Sequence, residues 1–178
     1  MKKNFLIQAL CVWIFMMMSA SIQMAKAQEK GKRQEQVAET IQKALDAQAY
    51  KIDVDYMYPM KGRSRALTSL YSLEVKNDSI YSYLPYVGEA YSVPYGGGKG
   101  LNFRAPISQY ESKEGKKGAT EVLLKTRNEE DSYTFRITIY KDGTSRIHVQ
   151  PNNRQSISFS GKINPDDQQG PSNKLVKH

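Results

Sequence analysis

The sequence predicts an α+β domain, with an N-terminal amphipathic helix packed on a curved antiparallel sheet, or on a partly closed barrel, of about eight strands. Two patterns predict this class. Apolar residues first recur at the spacing of one helix face, and after Tyr50 they alternate with polar residues as on half-buried strands. Short turn sequences separate the strands, which favours antiparallel hairpins. The patterns leave open a single curled sheet and a two-sheet sandwich.

The chain begins with the three parts of an export signal, so we expect residues 1–27 to be absent from the mature protein. Two lysines precede an apolar run at residues 5–18, and a small-residue cleavage site ends at Ala27. The run is shorter than the roughly 18 residues that span a membrane. We therefore predict a protein of the periplasm or cell surface that touches the membrane only through this signal. An uncleaved anchor and a lipoprotein modified at Cys11 are the alternatives.

Removal of the signal changes the chemistry of the chain. It removes the one cysteine, Cys11, so the single domain at residues 28–163 has no thiol for a disulfide, a nucleophile or a metal ligand. The formal net charge falls from +8 to +5, since three of the 26 basic residues leave and all 18 acids remain. The favoured interpretation is that a positive charge of this size is ordinary and maintains solubility, and an anionic surface in the envelope is the alternative partner. Nucleic acid is a poor partner, because the exported chain has no dense stripe of Lys and Arg.

The helix is predicted over residues 34–49, because its apolar side chains form one stripe: Val37, Ala38, Ile41, Ala44, Leu45 and Ala49. The first strand follows, and Pro59 ends it. Its predicted core-facing residues alternate with polar residues and with Met57: Ile52, Val54, Tyr56 and Tyr58.

Asn77-Asp78 predicts a two-residue hairpin, since both residue types tolerate the positive φ that such a turn needs. The resulting register pairs core-facing residues of the two strands: Val75 with Ile80, Leu73 with Ser82, and Tyr71 with Leu84. Pro85 then ends the second strand.

The C-terminal half predicts a series of hairpins. A four-residue loop at residues 128–131 pairs Leu124 with Phe135 and Val122 with Ile137. The next turn is predicted to be a three-residue loop, 141–143, with Gly143 left-handed, because a two-residue loop would mix the two faces. This register pairs Ile137 with Ile147 and Phe135 with Val149.

A further turn at residues 151–153 leads into the last strand, whose inward residues are Ile157, Phe159 and Ile163. Residues 164–178 are polar, and we expect a loose tail there.

Few side chains of the mature chain suit catalysis or metal binding. His148 is expected on the polar face of its strand, and no serine lies in a recognisable nucleophile motif. Asp53 and Asp55 share a strand face that suits a hard cation, but a solvated face is the favoured interpretation. The glycines at residues 96–100 do not form a nucleotide loop, since Val93 stands where that pattern requires Gly. We predict no cofactor, no metal and no catalytic residue.

Residues 81–103 hold a dense cluster of tyrosines followed by four glycines. Pro85, Gly88 and Pro94 interrupt regular strand pairing within it. Tyrosines in irregular backbone beside a glycine-rich loop suit a binding surface, because each ring is apolar with a polar tip. The candidate ligand- or partner-binding residues are Tyr83, Tyr86, Tyr91, Tyr95, Lys99 and Arg104. Packing of the tyrosines in the core is the favoured interpretation of this cluster, and a binding surface is the alternative.

Several blocks of the sequence resemble one family. They are L-T-S-x-Y at residues 67–71, Asn-Asp-Ser at 77–79, Y-L-P-Y-x-G-x-A-Y-x-x-P-Y-G-G-G at 83–98 with Phe103, and the later N-R, I-S and Gly pattern at 153–161. They are similar to DUF4251, a family of exported Bacteroidetes proteins of unknown function. The resemblance covers nearly all of the mature chain. It implies export and a single β-rich domain, and it carries no activity and no catalytic residue.

Three functions fit these observations. The favoured one is a non-enzymatic binding or interaction protein, whose partner is an envelope glycan, lipid or protein. The second is an enzyme that uses an unrecognised carboxylate or Lys site. The third is a structural protein of the envelope.

Overall fold

A computed structural model of the chain describes residues 31–32, 34–91 and 100–163. The expected signal at residues 1–27, the tail at 164–178 and the segment at 92–99 lie outside the described residues. The chain divides into two compact units, Met1–Gln36 and Val37–His178. The described residues of the first unit are helical.

In the second unit, residues 37–46 form a helix, α1. Eight strands follow: β1 (Tyr50–Pro59), β2 (Arg65–Lys76), β3 (Ser79–Leu84), β4 (Leu101–Glu114), β5 (Thr120–Arg127), β6 (Ser132–Ile139), β7 (Thr144–Pro151) and β8 (Ile157–Ile163). A short 3₁₀ helix at Lys116–Gly118 lies between β4 and β5. Among the described residues, no helix is both long and apolar enough to cross a membrane.

Each strand pairs antiparallel with the next along the chain, and β8 pairs with β1 to close a barrel. The predicted strand number is therefore correct, and full closure replaces the expected curved sheet or partly closed barrel. Closure satisfies the backbone groups that an open sheet would leave at its two edges. The inward faces form one hydrophobic core, which fills the barrel with large side chains that include Tyr50, Tyr133, Phe135 and Phe159.

The helix lies against one end of the barrel, here called the helix end. Ile41 and Leu45 are buried in the core cluster, and a Cβ placed on Gly143 would lie 3.6 Å from the Ile41 side chain. The Tyr110 hydroxyl donates a hydrogen bond to the Leu45 carbonyl at 3.4 Å. Because consecutive strands alternate in direction, the connections that follow β1, β3, β5 and β7 all lie at the opposite end, here called the distal end.

Turn chemistry sets the strand registers as predicted. Asn77 and Asp78 have φ values of 52° and 54°, and they place Val75 opposite Ile80 and Leu73 opposite Ser82. In the later turn Gly143 has φ of 83°, and the Tyr140 N–H donates to the Thr144 carbonyl across a three-residue loop. The predicted pairs in β5, β6 and β7 are all confirmed: Leu124 with Phe135, Val122 with Ile137, Ile137 with Ile147, and Phe135 with Val149.

The predicted facing of β1 is wrong beyond Val54. The register shifts between Val54 and Tyr56 against both neighbouring strands, which leaves Asp55 as the extra residue of a β-bulge. The side chains that follow therefore change sides. Met57 is 2% exposed and packs in the core, whereas Tyr58 is 44% exposed on the outer wall.

The same bulge accommodates an irregular stretch in β2. Val54 pairs with Tyr71 and Tyr56 pairs with Ala66, so the four residues 67–70 lie opposite Asp55 alone. This part of β2 bulges away from its partner, and Leu70 is 96% exposed.

Barrel closure requires a glycine at position 161. A Cβ on Gly161 would lie 2.0 Å from the Asp53 carbonyl oxygen across the β1–β8 pair. We expect Gly161→Ala to lower the free energy of unfolding by about 3 kcal/mol, because the clash is with backbone that cannot move aside. Urea denaturation monitored by circular dichroism measures this loss.

Gly31→Ala is the control, since nothing lies within 4 Å of that position. A Gly161→Ala protein as stable as this control would contradict the close approach of β1 and β8.

Candidate functional site

The distal end gathers the exposed apolar side chains of the described chain. Six large hydrophobic residues are exposed: Tyr58, Met60, Leu70, Tyr83, Val87 and Tyr91. All six lie at the distal end or in the half of the barrel next to it, because they belong to the end of β1, the bulge of β2, the end of β3 and the connections after β1 and β3. Exposed apolar side chains concentrated in one region are typical of an interaction surface.

Four of the six predicted binding residues are described, and they do not converge on one pocket. Tyr83 projects from the outer face of β3, where its ring stacks on that of Tyr71 at 5.4 Å between centroids. Tyr91 is 70% exposed at the distal end. Arg104 is exposed on the outer wall, with its guanidinium 4.8 Å from the centre of the Tyr81 ring. The remaining two, Tyr95 and Lys99, lie outside the described residues.

Tyr86, the fourth of these residues, is half-buried and has a structural role. Its hydroxyl lies 3.0 Å from the Gln155 carbonyl oxygen and 3.2 Å from that of Glu89, and it donates to them. Burial raises the pKa of Tyr86, although the nearby Arg154 and the hydrogen bond to Gln155 act in the opposite direction. A Cβ on Gly88 would lie 2.7 Å from the hydroxyl, which explains the glycine two residues after this tyrosine.

The segment after β3 is fastened to the segment after β7 by backbone hydrogen bonds. Tyr91 N–H donates to the Asn153 carbonyl at 2.8 Å, and Gln155 N–H donates to the Glu89 carbonyl at 3.0 Å. The Gln155 amide also donates to the Glu89 carboxylate at 2.8 Å. Lys61, from the connection after β1, pairs with the same carboxylate at 2.9 Å. The Tyr91 side chain is thus presented to solvent from a fixed backbone.

A buried carboxylate ties the connection after β5 to the connection after β7. Asp131 is buried, and its Oδ1 accepts hydrogen bonds from the N–H groups of Ser132 at 2.7 Å and Asn152 at 3.2 Å. The Asn153 N–H reaches both carboxylate oxygens, with Oδ2 at 3.0 Å. These bonds satisfy backbone donors that the turn would otherwise leave unpaired in a buried place.

A buried ion pair lies beside this carboxylate. Arg154 Nη2 lies 3.0 Å from Glu130 Oε2, and the side chains are 6% and 19% exposed. The guanidinium carbon of Arg154 is 5.7 Å from the centre of the Tyr86 ring. Arg154 Nε has no hydrogen-bond partner among the described residues. Removing Glu130 would leave the Arg154 cation buried without its counter-charge. The stability lost in this way is much larger than the net stabilisation that the intact pair provides.

The sequence did not single out Arg154 or Asp131 as functional. Their partners are up to 24 residues away in sequence, and pattern reasoning cannot pair residues across two different loops. The one available signal was the resemblance, whose later pattern contains Asn153-Arg154.

Metal-binding and catalytic groups are sparse in the part of the chain that the structure describes. No group of three or more His, Cys, Asp or Glu there is arranged to hold a metal ion. Asp53 Oδ1 lies 3.7 Å from Lys51 Nζ, and Asp55 is the extra residue of the β1 bulge. His148 lies on the outer wall as predicted, and its Nδ1 is 3.0 Å from Ser158 Oγ. Desolvation lowers the pKa of His148, and the Arg136 guanidinium lowers it further.

Described residues of the outer wall line the following three grooves. One of about 600 Å³ runs over β4, β5 and β6, with Glu111, Lys113, Glu121 and Arg136 among its lining residues. A second, of about 360 Å³, lies over β6, β7, β8 and the end of β1. A third, of about 280 Å³, lies beside Arg104 and the connection after β5. Tyr58 lines the second groove, and the other five exposed apolar residues line none of the three.

The contrast between Tyr86 and Tyr91 yields a test. We expect Tyr86→Phe to lower the free energy of unfolding by about 1–2 kcal/mol, because the Gln155 carbonyl loses its hydroxyl donor and the Glu89 carbonyl keeps only the Gln155 N–H. Tyr91→Phe removes a hydroxyl from an exposed side chain and should change stability by less than about 0.5 kcal/mol. Thermal and urea denaturation of the two variants measure the difference. Equal stability of both variants would contradict a structural role for the Tyr86 hydroxyl.

The chain resembles known proteins in sequence and in fold. The family model described as "Domain of unknown function (DUF4251)" matches residues 32–163. The fold is similar to the crystal structure of a DUF4251 family protein from Bacteroides eggerthii, with a TM-score of 0.57, 18% identity, and coverage of 74% of this chain and 89% of that chain. No curated protein matches the sequence. The chain therefore belongs to the DUF4251 family, as its block rich in tyrosine, proline and glycine predicted.

Proposed function

We propose that this protein is an exported, non-enzymatic binding protein that docks a protein of the cell envelope on its distal end. One observation carries the proposal, namely that the six exposed large hydrophobic side chains of the described chain gather in the distal half of the barrel. A monomeric domain with no partner has no physical reason to concentrate them there, since scattered exposed apolar residues satisfy folding equally well.

The composition of this surface suits a protein partner. Three of its six apolar residues are tyrosines, one is methionine, and Arg63 and Arg65 lie exposed next to them in sequence. Tyrosine, methionine and arginine are enriched at the centres of protein–protein interfaces. Five of the six line none of the three grooves described above, in which a small ligand would be enclosed.

The way this surface is held supports binding with little loss of entropy. Glu89 is bonded to both Lys61 and Gln155, and the backbone of Tyr91 is bonded to Asn153. Three connections of the distal end are therefore joined before any partner arrives. A surface that is already ordered loses less conformational freedom on association, which favours affinity.

Site-specific photo-cross-linking in cells tests the docking surface. A photoreactive amino acid replaces Tyr83 or Tyr91, and in a control protein it replaces Tyr140 at the helix end. We expect both distal positions to cross-link to one envelope protein, identified by mass spectrometry, and the control position to give no such product. Once that partner is purified, Tyr91→Ala should raise the dissociation constant of the complex at least tenfold, while the melting temperature of the variant stays unchanged.

Two results would contradict this proposal. One is equal cross-linking from the helix-end position, which would indicate non-specific proximity. The other is a cross-link to a second copy of this chain, which would make the distal end a self-association surface.

Export forms a separate part of the proposal and has its own test. Residues 1–27 have the order of charged, apolar and small residues that signal peptidase recognises. We expect the protein recovered from the envelope fraction to begin at Gln28, as N-terminal sequencing or intact-mass measurement will reveal. An intact N-terminus would contradict cleavage, and recovery from the cytosol would contradict export.

A further inference from the structure

The outer wall carries an ordered face of hydrogen-bonding side chains across four strands. One row runs across four strands. Arg136 of β6 pairs with His148 of β7, His148 pairs with Ser158 of β8, and Ser158 pairs with Tyr58 of β1. The neighbouring row, in the same strand order, contains Thr138, Arg146, Ser160 and Tyr56. We call these eight residues the arginine face. All of them carry a hydrogen-bonding group, and none is acidic.

The arginine face itself contains two guanidinium groups and no carboxylate, while Glu111 and Glu121 line the neighbouring groove together with Arg136. Arg136 and Arg146 are diagonal neighbours on β6 and β7, with side chains about 7–8 Å apart at their bases. Neither forms an ion pair with any carboxylate of the described chain. Arg136 donates instead to the neutral amide oxygen of Gln150 at 3.1 Å.

Acidic residues border the arginine face. Glu121, opposite Thr138, pairs with Lys113 at 3.3 Å. Asp55, in the β1 bulge, accepts a hydrogen bond from Ser160 at 3.5 Å. Because these carboxylates are bonded to Lys113 and Ser160 and not to the arginines, the guanidinium N–H groups of Arg136 and Arg146 remain available as donors within the face.

The surface over these residues is concave. The groove of about 360 Å³ is lined by six members of the face, Tyr58, Arg136, Thr138, Arg146, His148 and Ser158, together with Ile147 and Phe159, and by no carboxylate. The Tyr58 ring closes one side of the groove, tilted against Tyr56 at 5.0 Å between centroids. Such a groove combines an aromatic wall with clustered cationic and hydroxyl donors.

We propose that the arginine face binds a carboxylate, sulfate or phosphate group carried on a saccharide. Two guanidinium groups on neighbouring strands supply paired donors that match the oxygens of such an anion. Thr138 and Ser158 lie within reach of the same groove as hydroxyl donors. Tyr58 presents an apolar ring against which a sugar ring packs, and its hydroxyl lies 3.4 Å from the Ser160 hydroxyl within the face.

Calorimetric titration of the full protein with tetragalacturonic acid, at an ionic strength of about 0.15 M, tests the proposal. We expect binding to the wild type and at least a tenfold loss of affinity in Arg136→Gln/Arg146→Gln. The matched control is Lys125→Gln/Arg127→Gln, which removes two exposed positive charges from β5 on the same wall. It should change the affinity less than twofold. An equal loss of affinity in both double variants would mean that net charge alone explains the binding, and it would overturn the proposal.

The signal of His148 in nuclear magnetic resonance reports occupancy independently. Arg136 lies directly opposite His148, Arg146 is two residues away on the same strand, and Ser158 is its hydrogen-bond partner. An anion bound to the arginines favours the protonated ring, so the pKa of His148 should rise by about half a unit or more. That rise should vanish in the double arginine variant. No heat and no shift at about 10 mM probe, well above a millimolar dissociation constant, would overturn the proposal.

Inorganic sulfate and neutral cellotetraose distinguish the source of the anion. Binding of tetragalacturonic acid at least tenfold tighter than sulfate, with the excess lost in Tyr58→Ala, assigns an acidic saccharide. If sulfate binds as tightly as tetragalacturonic acid, the claim that the anion is carried on a saccharide is overturned. If neutral cellotetraose binds as tightly as either of them, the claim that an anionic group is recognised is overturned. Tyr58 is the one residue that the arginine face shares with the six exposed apolar residues of the distal half. Variants of Tyr83 and Tyr91 should therefore leave saccharide binding unchanged. The two proposals can thus fail separately.

Discussion

The pairing of β1 with β8 is the constraint on which the rest of the structure depends. All other strand pairs join neighbours along the chain, so they would form equally well in an open sheet. Only the β1–β8 pair closes the barrel, and it brings the backbones so close that position 161 has no room for a Cβ beside the Asp53 carbonyl. The bulge at Asp55 accompanies that close approach and adds the local twist that strands need to close into a barrel. Closure then makes two separate surfaces, an interior filled with apolar side chains and an outer wall free to carry polar ones.

The two ends of the closed barrel are completed in different ways. At the helix end, apolar side chains of α1 extend the core. At the distal end the connections carry polar residues, and these join through Asp131, the Arg154–Glu130 pair and the Tyr86 hydroxyl. A buried polar network of this kind favours the one arrangement that pairs most of its members, with Arg154 Nε left unpaired among the described residues, so it specifies loop conformation more than it adds stability. The outcome is a set of connections joined to one another, one of which presents the exposed Tyr91 side chain.

Much of the fold was predictable because local turn chemistry determines register. Asn77-Asp78 and Gly143 each admit one backbone conformation that keeps apolar residues on a single face, and both registers were correct. The facing of Tyr58 was not predictable, because a bulge inserts a residue without any local sequence requirement and reverses the alternation after it. β4 is long and only partly alternating, so it had no clear strand signal of its own. For the site, the sequence indicated a candidate region around the tyrosines and glycines, and it could not indicate Arg154 or the arginine face, because these arise from pairing between distant segments.

Barrel closure also dictates an order of folding. Tyr58 and Ser158 are paired although 100 residues separate them, whereas the hairpins join residues that are close in sequence. Local pairs form with little loss of chain entropy, so the hairpins should appear early and the seam between the first and last strands should form last. A chain that crosses a membrane with its N-terminus first would keep the outer edge of β1 unpaired until β8 has followed, although β1 already pairs with β2. During that interval both strand edges are open to other chains, and the time needed to emerge and close sets the period in which the protein is exposed to aggregation.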